Sequence, residues 1–390
     1  MKVVTYLDDM PDKRLPSSNS GRARIVRRIM TLVLMAALVS AIVGRRDTVT
    51  AAFGEIGNMS VAAISILIAL AIFERWSRAD IVARLLSPLS TRDGFVVHDV
   101  GNAVSKSVPM GGALGTALRW SIVNQRHIGV ARFSTMLIAY GVATTFVTWL
   151  LPALFLTVDI VGRPMTASDG VLLLALAGGI IAQIAFWSAV LSSDRVERWS
   201  SRFASSACSR VAKRLPSVSN ADAEEVIGEV RVQLRAEGRS GLPLLIRTGL
   251  AQGCGAVILF VALRALGVGD ELGLTEFFRL FFITHLLGTF APTPGGVGVV
   301  EAGMSGALVA AGVDPSQAVA GVLVYRFLTY IVPIATGTTL YLSWRRAVRS
   351  DSPEPDAAVQ IHAAVGNGDI DESESVGPIE PTVPPTSFAA

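Results

Sequence analysis

The chain has 390 residues, is 51% hydrophobic and only 17% charged, and has a mean hydropathy of +0.52. That excludes a soluble domain of ordinary composition and identifies a membrane protein. The formal charge of +3 is unevenly spread: the tail Asp351–Ala390 carries eight acids and no Lys or Arg, so the basic excess lies on the apolar part.

In chain order, a basic tail over residues 1–24 leads into an apolar run, Ile29–Val43, that follows Arg22, Arg24, Arg27 and Arg28. A signal-peptide core has this charge pattern, but no small-residue cleavage site follows, and Arg45-Arg46 close the run; it reads as an uncleaved first span. Further spans are predicted at Met59–Phe73, Arg132–Leu156, Gly170–Leu191, Leu242–Leu266 and Ala318–Trp344. Several of these approach the roughly 20 residues that a ~30 Å hydrocarbon core requires. The expectation is an all-α polytopic membrane protein with about six full spans.

Positive charge sets the expected orientation. The segment between Phe73 and Arg132, with Arg75, Arg78, Arg84, Arg92, Lys106, Arg119 and Arg126, and the segment Arg195–Arg247 are both assigned to the cytoplasm. Thr157–Ser168 and the acidic Gly267–Thr275 then fall outside, and both termini are cytoplasmic in a plasma (inner) membrane; Arg45 and Arg46 are the one dissenting pair. The connector 194–241 contains ERWSSRF and AEEVIGEVRVQLR, which read as amphipathic helices lying on anionic lipid or as a plain linker helix. The domain plan is a transmembrane unit over 25–346 and a Pro-, Gly-, Ser- and acid-rich tail over 347–390 of disordered composition. The basic charge around the spans reports on topology and lipid headgroups, so nucleic acid is not an expected partner.

One apolar stretch breaks the pattern. In FAPTPGGVGVVEAG, Phe290–Gly303, Pro292 and Pro294 stop a helix and Gly295, Gly296 and Gly298 permit a tight reversal. Helices on either side, Glu276–Phe290 and Val297–Ala311, reach only ~22 Å each at 1.5 Å per residue. The simplest path is a re-entrant hairpin that enters from outside and turns back, with a pair of short tilted spans as the alternative. Bare backbone at such a turn must be buried in protein or line a wet cavity, and the N-terminus of the second helix would face that cavity as an anion site. The segment GNAVSKSVPMGGALGTALRW echoes it, with Val108-Pro109, Gly111-Gly112 and Gly115 in a corresponding place but entering from the cytoplasmic side. Two broken hairpins of opposite orientation are the trace of an inverted repeat with a site between them.

Ionisable residues inside such a region mark function or fixed pairing. Glu301 on the second half-helix and Arg326 in VLVYRFLTYIVP either pair directly or both contact a polar ligand, for which the arginine fork suits phosphate. His285 in FFITHLLGTF and Asn102, Lys106 and Arg119 on the first hairpin are the other polar candidates, with Gly295, Gly296 and Gly298 supplying backbone. Arg119 also suits an interfacial snorkelling role, and GxxxG spacing at Gly249–Gly253 and Gly111–Gly115 is explained by close helix packing. Cys208 and Cys254 form no CxxC, and neither a metal nor a cofactor is expected. GMSG at Gly303–Gly306 matches an intramembrane serine protease motif, but the only later histidine is His362 in the acidic tail; no catalytic residue is assigned.

APTPGGVGVVEAG, the turn Ala311–Val313 and VYRFLTYIVPIATG together resemble the lysylphosphatidylglycerol synthase transmembrane-domain family, the flippase-like module. The resemblance is specific over Leu280–Gly337 and looser over Asn102–Arg119, and Gly298, Glu301 and Arg326 fall on matching positions. It implies a lipid translocase for an anionic or modified phospholipid or lipid-linked intermediate, with membrane lipids as partners. A non-transporting accessory protein for a cell-envelope glycosyltransferase or lipid synthase is the alternative. Aminoacyl-transferring members carry a large cytosolic domain where this chain has its acidic tail, so synthesis of lysyl-lipid is not expected.

Overall fold

The computed structural model describes residues 46–107, 111–192, 241–269, 272–291 and 293–350. The expected first span Ile29–Val43, the connector 194–240, residues 1–24, Cys208 and the chain beyond Ser350 lie outside it, as do Pro292 and the first hairpin's tip, residues 108–110.

Among the described residues every regular element is helical and no strand occurs. α1 (Arg46–Gly57) and α2 (Val61–Leu85) form a pair bent by 99°. Ser60 caps the second of them, its side chain accepting from the Ala63 N–H at 3.2 Å. α3 (Thr91–Ser107) and α4 (Gly111–Asn124) make a short hairpin. Three long helices follow: α5 (Val130–Val161), α6 (Ala167–Ser192) and α7 (Gly241–Ala265). A second short pair, α8 (Leu274–Gly288) and α9 (Val299–Ala310), is joined by a turn containing the single 3₁₀ stretch Pro294–Gly296. α10 (Pro315–Arg326) starts on an Asp314 cap whose carboxylate accepts from the Ser316 N–H at 2.7 Å, with proline in the first turn. It continues through a π-helical turn, Phe327–Ile331, into α11 (Val332–Ser350).

α5, α6, α7 and the continuous α10–α11 rod are long and apolar enough to cross a membrane, and the bent α1–α2 pair is a fifth if it counts as one span. The predicted spans at Arg132, Gly170, Leu242 and Ala318 fall on these four rods. The span predicted at Met59–Phe73 needs correction. Its helix does not stop at Phe73 but runs to Leu85, carrying Glu74 and Arg75 inward to 7% exposure each. No breaker stands between Phe73 and Leu85, and charges that meet partners can stay inside, Glu74 with Arg78 of the same helix and Arg75 with Asp99 of α3.

Packing is centred on α7, which contacts α2, α5 and α10. Its Ile258, Leu259, Ala262 and Leu263 share one core with Phe277 and Phe281 of α8, Met304 of α9 and Val322 of α10. Helices gain little from hydrophobic burial against each other in lipid, so close fit matters more. Gly321 supplies it: a Cβ there would stand 2.5 Å from Leu263 Cδ2. Phe155 of α5 stacks on Phe278 and Phe282 of α8 with centroids 4.9 and 5.3 Å apart, fixing the second hairpin against a long helix. At the helix ends Asp159 accepts from Arg163 at 2.9 Å and pairs with Arg279 at 3.0 Å. α6 turns Val171, Leu174, Ile181 and Phe186 outward, the surface expected against acyl chains.

The bundle closes at Leu340; beyond it α11 continues, with the rings of Tyr341 and Trp344 5.9 Å apart.

Candidate functional site

α3 and α4 pack so closely at Gly111 and Gly115 that a side chain at either position would strike the main chain of α3. A Cβ on Gly115 would collide with the Gly101 carbonyl and Ser105 Oγ, and one on Gly111 with the Val104 carbonyl. This, more than a turn conformation, is why the first hairpin is glycine-rich. The second hairpin uses glycine differently: Gly295, Gly296 and Gly298 have φ of 61°, 70° and 85°, the left-handed region that side chains resist. Val300 fills the gap under this turn, within 2.6 Å of where a Gly296 Cβ would sit.

Glu301 of the second hairpin is committed to Arg326 at the end of α10. Arg326 Nε donates to Glu301 Oε1 at 2.5 Å, and its Nη2 donates to the Gly295 carbonyl at 2.9 Å. The other carboxylate oxygen of Glu301 accepts the Gly298 N–H at 2.6 Å, the glutamate half of a capping box on α9, which Gly298 has no side chain to complete. Of the two arrangements open from the sequence, direct pairing is the one observed. The expectation that the N-terminus of α9 presents its N–H groups to an anion needs amending, because the chain's own Glu301 already occupies the Gly298 N–H.

Tyr330, on the π-helical turn, joins the two hairpins. Its hydroxyl donates to the Lys106 carbonyl at 2.9 Å, and its ring occupies the space a Gly295 side chain would need. The ring face also lies 4.6 Å from the Arg326 guanidinium carbon and 5.6 Å from Lys106 Nζ. Single π-turns recur where a helix presents a side chain out of register, frequently at functional sites.

Between the hairpins and α2, α5 and α7 is a polar cavity of about 400 Å³. Gly295, Arg326, His285, Asn102, Lys106 and Arg119 all line it. Gly296 and Gly298 stand behind the wall, and Glu301 faces an adjoining groove. Sequence reasoning missed Glu74, Arg75, Arg78, His98 and Tyr330, which line the same space. Arg75 and Arg78 were assigned to a cytoplasmic segment together with Lys106 and Arg119, yet all four face the cavity. A signal for them existed: Glu74 and Arg78 are four apart, the spacing of a helical ion pair, and no breaker ends the helix that carries them.

The cations are held in distinct ways. Arg75 bonds Asp99, which is fully buried, and Thr336, while Arg78 pairs with Glu74. Lys106 Nζ donates to the Thr329 carbonyl at 2.7 Å. Arg119 lies across Gly101, where any side chain would displace it, and its Nε meets no acceptor. His98 is 5% exposed with neither ring nitrogen partnered, and His285 stacks on Phe281 at 5.9 Å. No group of three or more His, Cys, Asp or Glu among the described residues is placed to hold a metal.

Beside the cavity runs an apolar groove of about 600 Å³, walled by Phe53, Ile64 and Ile68 on one side and Leu323, Phe327 and Ile331 on the other. Arg326 and Tyr330 belong to both spaces.

The family model of the lysylphosphatidylglycerol synthase TM region matches residues 25–337, most of the chain and all of this site. The chain belongs to that family. Comparison with curated proteins gives no match. The match ends at Gly337, where a Cβ would collide with the Asp99 carbonyl and the last rod therefore lies hard against α3.

Proposed function

We propose that this member of the family is a lipid translocase, holding the headgroup in the polar cavity while an acyl or prenyl chain lies in the groove. The observation that carries the reading is the adjacency of the two spaces, which share Arg326 and Tyr330. A water-soluble solute has no use for a groove whose rim residues Ile68 and Phe327 are 47% and 55% exposed, whereas an amphiphile needs both halves. In this reading the two hairpins are the paired broken elements of an inverted repeat, the chain sits in the plasma membrane with both termini cytoplasmic, and membrane lipids are its partners.

The test is exchange of labelled lipid between leaflets of reconstituted liposomes. Wild-type protein is expected to speed exchange of at least one anionic lipid above empty liposomes. Ile68→Trp, which fills the groove without touching the cavity, and Arg326→Ala are each expected to slow it. Wild-type liposomes no leakier than empty ones across anionic, zwitterionic and cationic lipids would sink the reading.

A further inference from the structure

We infer that the cavity selects a dianionic phosphate group, a phosphomonoester or pyrophosphate, over a singly charged diester and over zwitterionic or aminoacylated headgroups. The inference rests on the translocase reading only for the source of that phosphate, a lipid.

Charge balance carries it. Five cations line the cavity: Arg75, Arg78, Lys106, Arg119 and Arg326. Three of them have a carboxylate each, in the pairs Arg75–Asp99, Arg78–Glu74 and Arg326–Glu301. Those pairs use every carboxylate that lines the cavity or bonds one of its cations among the described residues. Lys106 and Arg119 remain, and neither forms an ion pair there; the amine is held by a neutral carbonyl and the Arg119 Nε by nothing. Enclosed cations without a counterion are costly, so the site as built has two positive charges to be met from outside the chain.

The chemistry of the donors fits phosphate. Arg119 offers a planar fork, Lys106 a compact ammonium, and His98 a buried ring with both nitrogens unpartnered, facing the same space. A ligand of charge −2 neutralises the excess; a diester leaves one cation over; a lysylated headgroup adds cations to a cavity already in surplus. Glu301, the acid best placed from the sequence to receive a cationic substituent, is engaged on both oxygens.

Binding to purified full-length protein decides it, measured by native mass spectrometry or thermophoresis at pH 7, above the second ionisation of a phosphomonoester at ~6 and low enough to keep an enclosed lysine protonated. The probes are dioleoyl phosphatidate, phosphatidylglycerol, phosphatidylethanolamine and lysyl-phosphatidylglycerol, with glycerol phosphate and inorganic phosphate as soluble counterparts. Phosphatidate is expected to bind at least about tenfold tighter than phosphatidylglycerol, a preference of the size one further charge-assisted hydrogen bond confers. Lys106→Ala and Arg119→Ala should each reduce that ratio and the double variant erase it, while Arg119→Lys, which keeps the charge and the fold, should retain most of it. Equal binding of phosphatidate and phosphatidylglycerol, or tighter binding of the lysylated lipid, overturns the inference. Soluble phosphates that bind as tightly as phosphatidate uphold the dianion and overturn the lipid source. Selective binding without interleaflet exchange removes the translocase reading and leaves the selectivity standing; exchange without selectivity does the reverse.

Discussion

The two hairpins that meet at the cavity are built from similar residues to opposite effect. In α8–α9 the carboxylate at the turn is already engaged: Glu301 caps its own helix and clamps Arg326 of α10, which in turn holds the Gly295 carbonyl. In α3–α4 glycine has been spent on helix contact, and the cations Lys106 and Arg119 project into the cavity without an ion-pair partner among the described residues. One hairpin is a brace and the other a reception surface. The comparison teaches that a charge within a membrane domain is informative through its partner more than its presence. Glu301 and Arg326 stand out in the sequence and explain each other, whereas Lys106 and Arg119, candidates only through the first hairpin's echo of the second, are the ones left to bind something.

The largest expected effect separates the two roles directly. Glu301→Ala leaves Arg326, whose side chain is 14% exposed, without its carboxylate and α9 without its cap. Removing one partner of this partly enclosed pair leaves the other unsatisfied, at about 1–3 kcal/mol, so the melting midpoint in detergent should fall. Lys106→Ala removes a cation that has no counterion and should leave the midpoint unchanged or raise it. Equal losses in the two variants would erase the distinction between brace and reception surface.

A smaller effect sharpens what glycine does in each hairpin. Gly295→Ala forces a side chain into φ 61° and into the Tyr330 ring; the backbone part alone costs ~1–2 kcal/mol. Pairing it with Tyr330→Leu, which vacates the ring's space, should recover the steric part and leave the backbone part, a coupling that a double-mutant cycle measures. At Gly115 the Gly101 carbonyl, a main-chain atom, obstructs alongside Ser105 Oγ, so removing the hydroxyl with Ser105→Ala should not rescue Gly115→Ala. Rescue at Gly115 together with none at Gly295 would mean the two glycine sets have been read the wrong way round.

How much was legible beforehand follows the same division. The four long rods were readable because lipid-facing helices such as α6 must be apolar along their length, and the PGG turn because three glycines beside prolines fit few other conformations. The Glu301–Arg326 contact was legible as one of two arrangements, since two buried charges of opposite sign rarely stay apart. The cavity's other wall was not. Arg75 and Arg78 sit in a basic stretch that the positive-inside rule assigns to the cytoplasm; the spacing of Glu74 and Arg78 hints at a pair, but only the fold shows Arg75 turned inward onto Asp99. Asp99 is 24 residues from Arg75, beyond the reach of any helical spacing rule. Tyr330 was invisible for another reason: its direction depends on the π-turn at Phe327–Ile331, and a regular helix over the same residues would aim it elsewhere.

That dependence supplies the smallest effect, which tests whether the two hairpins are mechanically joined at all. Tyr330→Phe keeps the ring against Gly295 and under Arg326 but removes the hydroxyl that donates to the Lys106 carbonyl at 2.9 Å. One such hydrogen bond is worth ~0.5–1.5 kcal/mol, too little to unfold the domain and enough to loosen a local contact. Hydrogen exchange read peptide by peptide should therefore rise at the C-terminal end of α3 and in the turn around Gly295 together, with α5 and α7 unchanged. Faster exchange at α3 alone would show that the hydroxyl serves one hairpin without transmitting to the other, and brace and reception surface would then have to move independently.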